Sequence, residues 1–513
     1  MNQRKAGSII TYAQMVLTMI VSIAYTPYMI KMLGQSEYGL YNTAASTISM
    51  LSILNLGFGG GYIRYYSIYK QNNDKESICK LNGMFIKIFT VIGFVGLICG
   101  LYIANHLETV FKDGLTPDEY SLAKILMILL TVNLAVSFPM SVFSNIISAH
   151  ERFVLLKLVG IMKTVCGPLV TIPLLFAGFR SVAIVVVTLG FSLTADAIYI
   201  YYVLHVLKER FLWSGCEKGL FKELAIYTSF IAANIIVDQI NWNIGRLLLA
   251  RYKGTVAVAV YTVGYTLNTY YNTVSTAVSS VFTPMVHGIV NRFKDNKTEQ
   301  KKELTSVFTR VGRIQFLILG LFASGLVLFG KQFIAFWAGK GFDNAYFVVL
   351  LLAIPATIPL IQNVGIEMQR AMNKHQFRSI AYLIMALLNL TASIYLCQLW
   401  GEIGSAVGTG ASMIIANGIA MNIYYHKKCN IDVLYFWKNI VRMLPGILIP
   451  LILFAALNHW VKLPNSLVML AAQILVYTVL YCGFVWFMSM NEYEKNLIYQ
   501  MLRRVKKERS VND

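Results

Sequence analysis

Apolar runs of roughly 17 to 26 residues recur from end to end of the sequence, separated by short polar or charged stretches, and each is long enough to cross a ~30 Å hydrocarbon core as an α-helix. Bounding the runs at charged and turn residues predicts about fourteen spans. Six lie over 8–30, 41–65, 84–103, 122–147, 155–176 and 182–207. Six more lie over 224–249, 256–281, 311–329, 345–366, 380–399 and 403–424, and two close the series over 441–457 and 467–488. The pattern predicts an all-α polytopic membrane protein with no sizeable soluble domain.

The runs repeat. At an offset of roughly 220 to 224 residues the first twelve spans match in weak but coherent pairs. MLGQSEYGLYNTA resembles ARYKGTVAVAVYTVG, pairing Gly34 with Gly254 and Tyr41 with Tyr261, and Gly178, Ala183, Ile200, Tyr201 and Tyr202 meet Gly401, Ala406, Ile423, Tyr424 and Tyr425. Each copy has an even number of spans, so the copies share orientation about an axis along the membrane normal. The expected organisation is two pseudo-symmetric six-helix lobes, 1–210 and 211–428, then spans thirteen and fourteen in 429–490 and a basic tail, 491–513.

Composition agrees with this: 57% of the chain is hydrophobic and 13% charged, against roughly 25% charged in soluble domains. The net charge of +20 changes the picture only through its distribution. The basic residues lie in short stretches between spans and form no single face, which argues against nucleic acid. With the N-terminus in the cytoplasm, inside segments hold about 29 Lys and Arg, outside segments about 10 and spans about 5. That asymmetry predicts cytoplasmic termini, with NRFKDNKTEQKKEL inside and HLETVFKDGLTPDEY, bearing Glu108, Asp113, Asp118 and Glu119, outside. The first span is long, contains Pro27 and lacks a secretory cleavage pattern, so it is expected to be retained. Cys79, Cys99, Cys166, Cys216, Cys397, Cys429 and Cys482 are scattered, without a CxxC pair or a His cluster, and read as ordinary thiols.

Chemistry is sought where polar groups break the apolar pattern, because they are costly there. Asp196 and Asp238 fall near the middle of spans six and seven. Asn234, Asp238, Asn241 and Gly245 follow one helical stripe, a candidate cavity wall, with Arg246 beside it. Interhelical hydrogen bonding is the competing explanation for both carboxylates. At cytoplasmic helix ends the repeat carries Arg64 and Lys87 onto His287 and Arg310. Arg313, one turn beyond Arg310, would complete a set suited to a diphosphate. Against this, basic residues at such ends are also expected from topology alone. Pro27, Pro355, Pro359 and Pro445 are candidate hinges, and the tyrosines of YTVGYTLNTYYNT offer an aromatic wall for a sugar. No GxxxxGK[ST] loop or HExxH is present, and no outside loop is long enough for a catalytic domain, so neither nucleotide hydrolysis nor an enzyme is expected.

TPYMIKMLGQSEYGLYN, NLGFGGGYIRYYS, AHERFVLLKLVGI and DQINWNIGRLLLARYKG resemble the Wzx-type flippases, the polysaccharide-transporter branch of the multidrug/oligosaccharidyl-lipid/polysaccharide exporter superfamily, along nearly the whole chain. The resemblance implies fourteen helices in two lobes around a cationic cavity. It also implies export of undecaprenyl-diphosphate-linked oligosaccharide across the plasma or inner membrane by alternating access, without a cofactor. Arg64 and the Asp238 helix carry over as cavity residues. Expected partners are that lipid-linked sugar, membrane lipids and the polysaccharide polymerase and assembly proteins, with a proton or sodium gradient as the candidate driving force. One departure is Ala259 where the first copy has Gly39. Another lipid-intermediate or small-molecule exporter of this fold, and a membrane glycosyltransferase or polymerase, remain as alternatives.

Overall fold

The structure, a computed structural model, describes residues 3–213, 218–374, 376–460, 464 and 466–500, so Cys216 and the basic tail beyond Gln500 lie outside it. Among these residues every regular element is helical. The chain packs as two compact units, Met1–Val263 with Tyr382–Thr409, and Gly264–Ala381 with Gly410–Asp513.

In the first unit run α1 (Gln3–Met50), α2 (Phe58–Gln71), α3 (Lys75–Asn105), α4 (Leu107–Phe111), α5 (Pro117–Ala149), α6 (Phe153–Phe176), α7 (Arg180–Tyr201) and most of α8 (Lys218–Ser280). The second holds α9 (Thr283–Arg292), α10 (Lys297–Trp337), α11 (Asn344–Ile361) and α12 (Val364–Ala371). α13 (Gln376–Met413) gives its middle to the first unit. The remaining helices, α14 (Asn422–Lys427), α15 (Val433–Val441), α16 (Leu444–Trp460) and α17 (Leu467–Met488), belong to the second.

Ten of these helical runs are long and apolar enough to cross a membrane, or eleven if the pair Asn234–Ser280 and Thr283–Arg292, bent by 42°, counts as one. Fourteen spans were expected; three of the eleven runs, Ile10–Gln71, the one in α8 and Gln376–Lys427, each cover two of the expected stretches. A straight helix of 62 residues, the length of Ile10–Gln71, would measure roughly 90 Å, three times the hydrocarbon core. Each of the three runs bends at a glycine: Gly34 (φ 77°, ψ 171°) in α1, Gly254 (φ 81°, ψ −178°) in α8 and Gly401 (φ 58°, ψ −130°) in α13. This backbone region is open essentially to glycine alone. Gly34 and Gly254, paired by the sequence repeat, thus share one conformation, and the paired Gly178 and Gly401 both have positive φ.

At Gly401 the helix folds back on itself. Thr409 Oγ1 donates to Asn389 Oδ1 at 3.2 Å, and a Cβ at Gly404 would lie 2.0 Å from the Leu396 carbonyl oxygen. Spans two and seven run antiparallel along each other in the first unit. At the end of that pair, where the chain turns at Gly254 into span eight, a Cβ at Gly39 would lie 1.9 Å from the Thr255 carbonyl oxygen and 3.2 Å from the Ala259 nitrogen. Farther along, Arg246 Nη1 donates to Ser46 Oγ at 3.1 Å, Gln239 Nε2 to Ser52 Oγ at 2.9 Å, and Gly57 meets Ile231. The departure of Ala259 from Gly39 has its reason here, since one bare backbone suffices for the two to touch.

Opposite span seven, span two leaves the α-helix. Leu51–Asn55 is a 3₁₀ turn, and Leu56 and Gly57 are left-handed before α2 begins. Beyond that break Phe58 and Tyr62 of α2 pack edge to face on Phe85 and Phe89 of α3, with Tyr62 and Phe85 centroids 5.1 Å apart, and Tyr66 lies tilted against Tyr62. In the second unit Phe308, Tyr425 and Phe436 cluster, and Phe329, Phe454 and Tyr477 form another group. Pro27, Pro355 and Pro359 stand inside helices, whereas Pro445 occupies the second residue of α16. There its missing N–H costs nothing, so it starts a helix instead of kinking one.

Candidate substrate and coupling site

Arg64 and Lys87 are exposed on α2 and α3, which pack together. The Arg64 guanidinium lies 6.0 Å from the Tyr65 ring centre. The Lys87 ammonium donates to the Trp213 carbonyl and lies 5.9 Å from the Trp213 ring. It reaches them because the segment after α7 folds back along α3. Leu212 N donates to Cys79 O at 3.0 Å, Asn82 Nδ2 to Arg210 O at 3.2 Å, and Gly83 leaves room for the Leu212 carbonyl. Glu209 pins this segment by accepting from Tyr66 Oη at 3.0 Å and Asn82 Nδ2 at 3.1 Å, with His150 Nε2 at 3.3 Å. Burial holds the His150 imidazole below its usual 6.5, against the pull of Glu209 and of the Ile146 carbonyl.

In the second unit His287 is exposed on α9 and Arg310 on α10, the latter with its guanidinium 4.9 Å from the Tyr493 ring. Arg313 departs from the expectation that it joins Arg310 in a phosphate site. Its side chain is buried, paired to Glu494, and its remaining nitrogens donate to Ser489 O at 2.8 Å and Asn439 O at 3.3 Å. Three residues along a helix turn the side chain by about 60°, enough to carry it from the accessible face into the packed one.

The span-seven stripe divides in the same way. Asn234 and Asp238 are accessible, whereas Asn241 is buried and accepts from Asn389 Nδ2 at 3.4 Å. Gly245 packs on Ser405, 2.6 Å from where its Cβ would stand. Asn389 Oδ1 in turn accepts from Ser393 Oγ at 2.9 Å as well as from Thr409. These residues of spans eleven and twelve were invisible as a cluster in the sequence, because neutral polar groups scattered in apolar runs carry no positional signal.

Asp196 is half-buried on α7 and feels the charge of Lys163 on α6. Lys163 Nζ donates to Ser192 Oγ at 3.1 Å, one turn before Asp196. A cavity of about 270 Å³ opens beside Lys163, lined also by Thr18, Tyr25, Thr171 and Thr188. A lysine inside an apolar run is a signal that could have identified it beforehand. Of the span-eight tyrosines, Tyr261 and Tyr271 are buried, and Tyr271 Oη bonds Thr357 Oγ1 at 2.7 Å, so these two serve packing.

A family described as "polysaccharide biosynthesis protein" matches residues 5–290. Among solved structures the chain is similar to a lipid II flippase MurJ in an inward closed conformation, at 15% identity and TM-score 0.71, covering 96% of this chain and 99% of that one. It is also similar to an inward-facing multidrug resistance MATE family transporter of the MOP superfamily, at 13% identity and TM-score 0.64, covering 84% and 99%. A mutant of the Vibrio cholerae MATE transporter VcmN follows at 12% identity and TM-score 0.56, covering 84% and 100%. At these identities the likeness is one of fold. No curated protein matches.

Proposed function

The chain belongs to the polysaccharide biosynthesis protein family, and from that premise we propose that it is a flippase moving undecaprenyl-diphosphate-linked oligosaccharide from the cytoplasmic to the outer leaflet by alternating access. The observation that carries the reading is a pair of accessible basic side chains in each unit, Arg64 with Lys87 and His287 with Arg310, at positions related by the repeat. Guanidinium and ammonium groups suit a diphosphate, through paired donors and point charge respectively. Arg64 and Arg310 are the principal ligands. Both are guanidiniums, which offer paired donors, whereas Lys87 brings a point charge, and Arg313 is committed to Glu494.

The transported lipid stays in the membrane, and the protein performs no covalent step. Both termini face the cytoplasm, and the oligosaccharide passes on to polymerase and assembly proteins at the outer face. Export draws on a proton or sodium gradient through Asp238.

Complementation of a flippase-null strain, read as surface polysaccharide, tests the assignment. Arg310→Gln should abolish export at normal protein level, with Lys restoring part of it. Full export by the Arg64→Gln, Arg310→Gln double variant would remove both from the mechanism, and failure of the wild type to complement would reject the cargo.

A further inference from the structure

The first turn of α5 sends one carboxylate, Glu119, to the place where the Gly34 and Gly254 turns meet inside the first unit. Its Oε2 accepts from Thr116 N at 2.9 Å and Thr116 Oγ1 at 3.2 Å, closing the capping box of α5. Its Oε1 is turned outward from that cap. It accepts from Ser36 Oγ, two residues past Gly34, and from Thr255 Oγ1, one residue past Gly254, at 2.7 Å. The two hydroxyl oxygens are themselves 3.3 Å apart. Around them Gly39 lies on the Thr255 carbonyl, Gly114 on the Ala250 carbonyl, and Arg251 Nη1 donates to Val110 O at 3.1 Å.

A second carboxylate on the same turn gives the contrast. Glu37 is buried and accepts from Ser181 N at 2.9 Å and Ser181 Oγ at 2.6 Å, with Arg180 Nε at 2.9 Å. These partners, Ser181 and Arg180, lie within the first repeat, so their bonds to Glu37 do not join the two repeats. Glu119 bonds to both repeats, with Ser36 exposed and its own carboxylate half-exposed. Hydroxyl-to-carboxylate bonds within reach of water are individually modest and quickly exchanged. An ionised carboxylate is an acceptor only and so suits two hydroxyl donors on one oxygen.

We infer that Glu119 is a positioning residue of the transport cycle, a latch that holds the glycine turns of the two repeats together and releases them when the path opens to the outer side. The inference rests on the alternating-access reading above.

The test uses a cysteine-free background carrying Gln35→Cys and Val256→Cys, next to Ser36 and Thr255 so that both hydroxyls stay in place, joined by a bis-methanethiosulfonate bridge. In purified protein the pair should cross-link rapidly, and Glu119→Ala should slow the reaction roughly tenfold, with Glu119→Asp recovering part of the rate. In flippase-null cells the bridge should stop polysaccharide export and a reductant should restore it, a reversible block that loss of stability would not produce. Equal export by bridged and reduced protein, or a cross-linking rate indifferent to Glu119, overturns the latch. If the wild type does not support export at all, the flippase reading fails, and the cross-linking rates in purified protein still decide the role of Glu119.

Discussion

The Arg313 guanidinium lies on the Glu494 carboxylate through two bonds, Nε to Oε1 at 2.6 Å and Nη2 to Oε2 at 2.9 Å, across 181 residues of sequence. Both side chains are below a tenth exposed, so either charge left alone would be buried without compensation. Arg313→Gln should therefore destabilise the protein by about 3–5 kcal/mol, and Lys, which cannot form the fork or reach Ser489 and Asn439 together, should rescue little. Thermal unfolding in detergent measures this. Arg310→Gln, on the accessible face one turn away, should unfold like the wild type.

Gly39 is expected to tolerate no side chain. A Cβ there would stand 1.9 Å from the Thr255 carbonyl oxygen, a backbone atom that cannot swing aside. Gly39→Ala should cost at least about 1–3 kcal/mol by overpacking. The control is Gly190→Ala in α7, where nothing lies within 4 Å and the added methyl should cost no stability. Equal melting temperatures for the two variants would contradict the close approach of Gly39 to the chain just past the Gly254 turn.

His150 should make stability fall in mild acid. Its native pKa is depressed, chiefly by burial, with Lys70 and Arg152 adding to the effect, so the unfolded chain binds the proton more readily. The contribution is full above the unfolded value near 6.5 and is lost as pH falls through 6.5 towards the lower native value. Melting temperatures between pH ~7.5 and ~5.5 should drop more steeply for the wild type than for His150→Gln. Matching slopes would show that burial does not penalise the charged form of this imidazole.

Topology follows from charge asymmetry across short loops. A cysteine at Asp118, beside the start of α5, should react with an impermeant thiol reagent in intact cells. One at Lys297, at the start of α10, should react only after permeabilisation. The opposite labelling would reverse the orientation.

Asp238 should couple flipping to an ion gradient, since its carboxylate is accessible while Asn241, a turn further on, is locked to Asn389. Cation binding biases access only where one state binds the cation more tightly. In liposomes with imposed proton or sodium gradients, Asp238→Asn should flip lipid at a rate indifferent to the gradient that accelerates the wild type. A variant that responds as the wild type does would make Asp238 a packing residue.

The span pattern, the repeat and the turns at Gly34, Gly254 and Gly401 were determined by the sequence alone. Hydrocarbon imposes a minimum length of apolar helix, and a positive φ admits few residues other than glycine, so both constraints are written locally. Partner choice is not local. Arg313 and Arg310 sit one turn apart with the same positional signal, yet one faces Glu494 and the other stays accessible. Lys87 is engaged by a carbonyl 126 residues away, and Glu119 by hydroxyls 83 and 136 residues away. Which azimuth of a helix is buried depends on which helices pack against it and at what depth. In an apolar span nearly every face is hydrophobic, so periodicity does not mark the buried side, and only the tertiary structure assigns each polar group its partner.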